Sequence, residues 1–214
     1  MNTQDFNNLN KNDVAIAGGK GASLGEMTSA FATSFVKDFG RSKKASADKQ
    51  AGNPVPPGFV VLSSAFERFL EETDLHSEID SILHKVNHKE IHTVENASEE
   101  IKALILEAKM PSNIASEVKE EFKKLDSKYV AVRSSATAED SSTAAWAGQL
   151  ESHLNTTKED LLEKVQKCWA SLFTPRAIFY RFEKGLHEQH ISVAVVVQKM
   201  VESEVSGIAF SVHP

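Results

Sequence analysis

The order of apolar and polar positions predicts a chain that mixes strands and helices. Short runs rich in valine, FVVL at 59–62, YVAV at 129–132 and VAVVV at 193–197, have the β-branched content of buried strands. Between them, the segment 112–125 carries apolar residues at steps of four and three, which predicts an amphipathic helix. A second helix is predicted at 175–184, with Thr174 as its cap, Pro175 in its first turn and Gly185 as its end.

Two further patterns predict local structure. ISVAVVVQKM at 191–200 and VSGIAFSV at 205–212 read as two strands joined by a short polar turn, which predicts an antiparallel hairpin. His84, His88 and His92 fall at steps of four and would line one face of a continuous helix. Two such histidines can chelate a metal, but no carboxylate or cysteine completes an obvious site, so an exposed polar face explains them at least as well.

Residues 37–53, KDFGRSKKASADKQAGN, interrupt the apolar pattern with Lys, Ser, Ala and Gly. This composition predicts an exposed loop. The alternative is a basic ligand-binding loop that acts through Arg41, Lys43 and Lys44.

Composition narrows the class of protein. With 214 residues, 41% of them hydrophobic, the chain can form one domain or two small subdomains. A net charge of -6 argues against a broad nucleic-acid surface, so an anionic ligand needs a local cluster of donors. The polar start and the short apolar runs predict no signal peptide and no membrane span, hence a cytoplasmic protein. The single cysteine, Cys168, is expected in the core.

The stretch AGGKGASLGEM at 17–27 sets three glycines around Lys20 ahead of a predicted helix. Glycines let backbone N–H groups approach a phosphate, a helix N-terminus carries partial positive charge, and lysine adds a point charge. The combination suits a polyphosphate. It lacks the spacing of a Walker loop, and an ordinary turn before a helix is the alternative.

Arg133 follows the YVAV strand and precedes the small residues SSATA. We expect it at the strand end, where its planar fork of donors can bind phosphate oxygens and the small residues leave clearance. A salt bridge to Glu139 or Asp140 is the alternative. Further on, WAGQLESHLN at 146–155 predicts a strand entered through a glycine hinge.

Six motifs occur along the chain in the order in which they are found in a known family of enzymes: GGKGASLGEM, PVPPGFVV, VAVRSSATAEDSSTAAWAGQ, ASLFTPRAIFYR, VVVQKMV and SGIAFSVHP. Together they resemble the N-terminal nucleotide-binding region of the phosphoenolpyruvate synthase and pyruvate phosphate dikinase family, with the synthases the better match. Rifampicin phosphotransferases look similar over the same region. The resemblance implies an α+β fold of ATP-grasp type, of which residues 1–214 would be the N-terminal part.

The resemblance also implies site residues. Lys20 and Arg133 match the phosphate-binding lysine and arginine of the family, and Gly148 falls in its mobile glycine loop. Ser152 occupies a position near the nucleotide. Gln198 and Met200 match the strand that borders adenine.

For a complete enzyme, the resemblance implies that ATP phosphorylates a histidine on a separate domain, releasing AMP and phosphate. That phosphohistidine would phosphorylate pyruvate at a distant barrel. Lys20, Arg133 and magnesium would stabilise charge on the transferring phosphoryl group, with the magnesium ligands beyond residue 214 and no catalysis by this chain alone. The alternatives are a rifampicin phosphotransferase, a dikinase fragment, or a nucleotide-binding or interaction module without catalysis.

Overall fold

A computed structural model describes residues 1–38, 55–137, 151–186 and 192–208, without the side chains of 32–38. Its strands are β1 Thr3–Asp5, β2 Gly58–Val61, β3 Val130–Ala136, β4 Ser152–Thr156 and β5 Val193–Lys199. They form one sheet in the order β1-β2-β5-β3-β4, and each neighbouring pair is antiparallel.

The helices of the described residues are α1 Val14–Asp38, α2 Ser63–Glu72, α3 Leu75–His84, α4 Ile91–Glu107, α5 Ser112–Lys124, α6 Leu161–Ala170 and α7 Pro175–Glu183. Short 3-10 turns follow β1 at Phe6–Asn8 and α6 at Ser171–Phe173. One antiparallel sheet with separate helices makes this an α+β fold, as expected.

Helices cover the two faces of the sheet unequally. Helices α2 to α7 pack on one face, around a core that includes Val132, Val195 and Trp169. Among the α-helices of the described residues, α1 packs on the other face, where it shares a smaller cluster with Phe6, Val60 and Val196. We call this second side the α1 face.

The central strand β5 has both sides covered, and Val193–Val197 are 0% exposed. This explains the uninterrupted apolar run, since neither side of the strand meets water. Burying each valine side chain favours folding by roughly 1.5–3 kcal/mol.

Local signals predicted several elements correctly. Thr174 caps α7, because its side chain accepts a hydrogen bond from Ala177 N at 3.3 Å, and Pro175 begins the helix. Gly185 ends it with φ 65°. Cys168 is buried in the core, where burial raises the pKa of its thiol and keeps it protonated.

The three histidines would share a face only if one helix continued through them, and it does not. Helix α3 ends at His84 and α4 begins at Ile91, so the three histidines do not share a helical face. Asn87 and Thr93 hold the break, since Thr93 Oγ1 donates to Asn87 O at 2.8 Å and accepts from Asn87 N at 3.0 Å. Nowhere in the described residues do three or more His, Cys, Asp or Glu side chains meet in a group that could hold a metal ion.

The predicted hairpin between 191–200 and 205–212 is wrong for the part that the structure describes. Residues 201–208 form neither strand nor helix, and Val205 and Ile208 are 88% and 86% exposed. The reason lies in β5, whose two edges are already paired with β2 and β3. Residues 209–212 lie outside the described residues.

The exposed loop predicted at 37–53 begins inside α1, which continues to Asp38. The rest of that loop, including Arg41, Lys43 and Lys44, lies outside the described residues. Within the described ranges, no helix is long and apolar enough to cross a membrane.

Candidate functional site

Arg133 lies in the middle of β3. The strand continues through Ala136, so the expectation that Arg133 stands at a strand end was wrong. Ser134 and Ser135 continue the strand because they pair with Val195 and Ala194 of β5. The two serines are 1% and 0% exposed, so they are buried sheet residues and do not provide clearance for a ligand.

The strand register sets Arg133 on the α1 face. It lies opposite Val196 of β5 on one side and opposite Ser152 of β4 on the other. Val196 belongs to the cluster under α1, and directly opposite residues share a face with Cβ atoms about 4.5–5.5 Å apart. Arg133 and the exposed Ser152 are therefore neighbours on the α1 face.

Gln198 joins the same face one row further along the sheet. It lies opposite Ala131, two residues before Arg133, and side chains two apart on a strand point to the same side. Its amide Nε2 donates to Pro56 O at 3.0 Å. The Met200 N–H, just past the strand, donates to Tyr129 O at 3.1 Å. One N–H of the Gln198 amide and the Met200 N–H are thus used in fixing the end of β5.

Lys20 reaches this face from α1. That helix is interrupted at Gly18, whose backbone has φ 68° and ψ 170°, and Lys20 lies in the first turn after the interruption. The N–H groups of Lys20 and Gly21 donate to Ser135 Oγ at 3.1 Å and 3.3 Å. Ser135 is two residues from Arg133 on the same side of β3. The structure therefore anchors the Lys20 turn beside the strand that carries Arg133.

Two cations, Lys20 and Arg133, belong to this face of the sheet. Arg133 is half-buried, and its side chain makes no hydrogen bond or ion pair with the described residues. Glu139 and Asp140, its alternative partners, lie outside them. In a chain of net charge -6, Lys20 and Arg133 form a local cationic site of the kind that an anionic ligand requires.

The opposite side of β4 carries a different group. His153 pairs with Val132, whose side chain faces the helical core. Burial lowers the pKa of His153, although the nearby carboxylate of Glu151 acts to raise it. His153 Nε2 lies 3.4 Å from Glu151 Oε2 but makes no hydrogen bond with it. Burial therefore has the larger effect on the pKa of His153. His153 is neutral at pH 7 and lies on the other side of the sheet from Arg133.

Gly148 lies outside the described residues, so its predicted role in a glycine loop is untested. Sequence reasoning missed the roles of Ser134 and Ser135. The Ser134 hydroxyl donates to Glu151 O at 2.8 Å, which fixes the chain just before β4. Two serines inside a buried strand were a usable signal, because buried hydroxyls are nearly always hydrogen-bonded.

A comparison with protein families shows which family this chain belongs to. The sequence profile of the pyruvate phosphate dikinase AMP/ATP-binding domain matches residues 14–214. The chain belongs to this family. All six residues expected at the site fall within the part that matches the pyruvate phosphate dikinase AMP/ATP-binding domain, as do the glycine stretch around Lys20 and the β3 strand.

Curated relatives extend the comparison. The chain is 41% identical over 216 residues to a probable phosphoenolpyruvate synthase of Methanothermobacter thermautotrophicus, covering 98% of this chain and 28% of the relative. It is 43% identical over 212 residues to a probable phosphoenolpyruvate synthase of Archaeoglobus fulgidus, covering 96% and 25%. It is 36% identical over 248 residues to the phosphoenolpyruvate synthase of Pyrococcus furiosus, covering 98% and 28%. The chain thus spans about a quarter of the length of these relatives.

Proposed function

We propose that this chain binds ATP on the α1 face of the sheet, as the N-terminal part of the ATP-binding domain of a phosphoenolpyruvate synthase. One observation carries the proposal: Ser135 ties the turn that holds Lys20 to β3, beside Arg133. Membership of the AMP/ATP-binding family and the names of the relatives support the choice of nucleotide and of enzyme.

In this proposal, Lys20 and Arg133 bind the ATP phosphates. The guanidinium of Arg133 can offer paired donors to phosphate oxygens, and Lys20 adds a compact charge from the start of a helical segment. Phosphoryl transfer depends mainly on positioning and on neutralising negative charge, so neither residue acts as a nucleophile. Both would strengthen binding and stabilise the charge on the transferring group.

The remaining site residues would surround the nucleotide. Ser152, opposite Arg133, is exposed and near enough to contact a phosphate bound there. Gly148 would belong to a glycine loop over the phosphates. Gln198 and Met200 would border adenine at the end of β5, through groups other than the two donors that bond to Pro56 O and Tyr129 O.

The proposed fold is of ATP-grasp type, with residues 1–214 forming the N-terminal part of one ATP-binding domain. Among the described residues, α1 and the turn Phe6–Asn8 cover part of the α1 face, and the nucleotide and a second subdomain would occupy the part beside Arg133 and the exposed Ser152 of β4. Magnesium would accompany the phosphates. In this proposal its protein ligands belong to the part of the relatives' length that this chain does not span.

The complete enzyme would convert ATP, pyruvate and water to phosphoenolpyruvate, AMP and phosphate in the cytoplasm. A histidine on another domain would carry the phosphoryl group to pyruvate in a barrel. Those parts would belong to the three quarters of the relatives' length that this chain does not span, so the chain alone would be inactive. Comparing pyruvate with rifampicin as the acceptor of the full-length protein distinguishes a synthase from a rifampicin phosphotransferase.

Calorimetric titration of ATP into the 214-residue chain tests the binding step. Lys20→Ala and Arg133→Ala should each weaken ATP binding about tenfold or more, since each removes a charge-assisted contact of ~1.5–3 kcal/mol. Lys119→Ala, at an exposed position on α5, is the matched control and should leave affinity unchanged. Absence of ATP binding, or equal binding by all variants, would refute the proposal and favour an interaction module.

A further inference from the structure

Gly18 allows an unusual approach between α1 and β3. Its positive φ of 68° lies in a region that side-chain-bearing residues rarely adopt. A Cβ atom added at Gly18 would overlap both the hydroxyl and the carbonyl oxygen of Ser135. The helix restarts immediately afterwards, so the absence of a side chain lets Ser135 reach the first turn of the new segment.

Ser135 acts there as an N-cap supplied from a distant strand. Its Oγ accepts from Lys20 N at 3.1 Å and from Gly21 N at 3.3 Å, across 115 and 114 residues of sequence. N-cap residues normally precede the helix directly and satisfy one of its first N–H groups. Here the cap is Ser135 of β3. Because Ser135 is 0% exposed, water cannot replace its hydroxyl as the acceptor.

The same hydroxyl determines the relative placement of the two cations. Lys20 is the residue whose N–H is bound, and Arg133 lies two positions from Ser135 on the same side of the strand. Movement of the helical segment away from β3 would lengthen both hydrogen bonds and would also move Lys20 relative to Arg133. The neighbouring Ser134 makes no such link, because its hydroxyl donates to Glu151 O.

We propose that Ser135, with Gly18, is a positioning residue that sets the distance between Lys20 and Arg133 for binding a nucleotide polyphosphate. This inference rests on the proposed function for its ligand. The hydroxyl itself does not touch the nucleotide, because it is buried and both its contacts are with the N–H groups of α1. Loss of the hydroxyl should therefore act only through the placement of Lys20.

Amide hydrogen exchange without nucleotide tests the structural half. Ser135→Ala should speed exchange at Lys20 and Gly21 by roughly tenfold or more, because their N–H groups lose their acceptor. Ser134→Ala, an equally buried change on the same strand, should leave these two amides unchanged. Unchanged exchange in Ser135→Ala would overturn the inference.

A double-mutant cycle tests the functional half. Ser135→Ala should weaken ATP binding roughly tenfold in the wild-type chain but less than about twofold in a Lys20→Ala chain, since the two residues act as a unit. Ser135→Thr keeps the hydroxyl and a strand-favouring shape, so it should retain affinity within about threefold of the wild type. Independent, additive effects of Ser135→Ala and Lys20→Ala would overturn the positioning role.

The two measurements separate the inference from the proposed function. If Lys20→Ala weakens ATP binding while the cycle is additive, the inference fails and the proposed function stands. If Lys20→Ala has no effect on ATP binding, the proposed function fails, and the ATP-positioning role fails with it. The exchange experiment then still shows whether Ser135 holds the helical segment.

Discussion

Glu117 on α5 holds the start of the chain against the helical layer. Its carboxylate accepts hydrogen bonds from Asn2 N at 2.7 Å, Asn2 Nδ2 at 2.9 Å, Thr3 N at 2.8 Å and Thr3 Oγ1 at 2.9 Å. Asn2 Oδ1 in turn accepts from Arg68 Nη1 at 3.0 Å. Partial burial of Glu117 acts to raise its pKa, but the hydrogen bonds from Asn2 and Thr3 outweigh it, so the pKa is lowered.

A lowered carboxyl pKa stabilises the folded state above the unfolded value near 4.5, and that contribution is lost as pH falls through the folded pKa. Glu117→Gln should reduce the free energy of unfolding by about 1–2 kcal/mol at pH 7, allowing for solvent screening. The difference from wild type should shrink at acid pH, where the wild-type carboxyl is protonated too. Urea unfolding at pH 7 and pH 3 measures both values.

Glu120→Gln is the control for this prediction, because Glu120 is exposed on the same helix. It should change the free energy of unfolding by less than about 0.5 kcal/mol at either pH. A pH-independent effect of Glu117→Gln would show that the four hydrogen bonds do not depend on the ionised carboxylate.

At the scale of elements, α1 is two helical segments joined at Gly18 over the sheet. Gly18→Ala should destabilise the fold in two ways, through the positive φ and through overlap with Ser135. Gly185→Ala is a control for the positive φ alone, because Gly185 has φ 65° and nothing within 4 Å of an added Cβ. Gly185→Ala should therefore cost only ~1 kcal/mol, and Gly18→Ala at least ~2 kcal/mol more.

Thermal and urea unfolding of the two glycine variants give the comparison directly. Equal losses of stability would mean that the contact between Gly18 and Ser135 carries no steric constraint. A larger loss in Gly18→Ala would report the overlap with Ser135 together with the ψ of 170° at Gly18, a backbone conformation that with positive φ is essentially restricted to glycine.

Elements with local signals were the predictable ones. The Thr174 cap, the proline at the start of α7 and the Gly185 end all belong to one short helix and its immediate flanks, and the structure confirms each. No single helix runs through the three histidines, because Asn87 and Thr93 bond to each other between α3 and α4. The sequence shows an asparagine and a threonine at these positions, but it does not show that their groups hydrogen-bond to each other.

Pairings between distant segments were beyond the sequence pattern. Nothing in the run 193–197 shows that β2 and β3 take both its edges, which is why a hairpin with 205–212 was expected. Similarly, Arg133 was placed at a strand end because SSA reads as a break, whereas pairing with β5 continues the strand. Residue types gave the candidates, and tertiary contacts decided their positions.

At the scale of the whole molecule, the sheet separates the larger hydrophobic core from the face that carries the candidate site. Helices α2 to α7 and the larger core lie on one side, which accounts for most of the buried apolar side chains. The α1 face carries the smaller cluster together with Arg133 and Ser152, and α1 brings Lys20 to it. That residues so far apart in sequence meet on one face depends on the sheet order, which only the structure supplies.

The central claim is that ATP binds on the α1 face between Lys20 and Arg133, and amide NMR of the chain during an ATP titration tests it most directly. The account predicts shifts at Lys20, Gly21, Arg133 and Ser152 that saturate together, while amides of α3 and α4 on the opposite side stay in place. Saturating shifts confined to α3 and α4, or no shift on the α1 face at ATP concentrations that give binding heat, would contradict it.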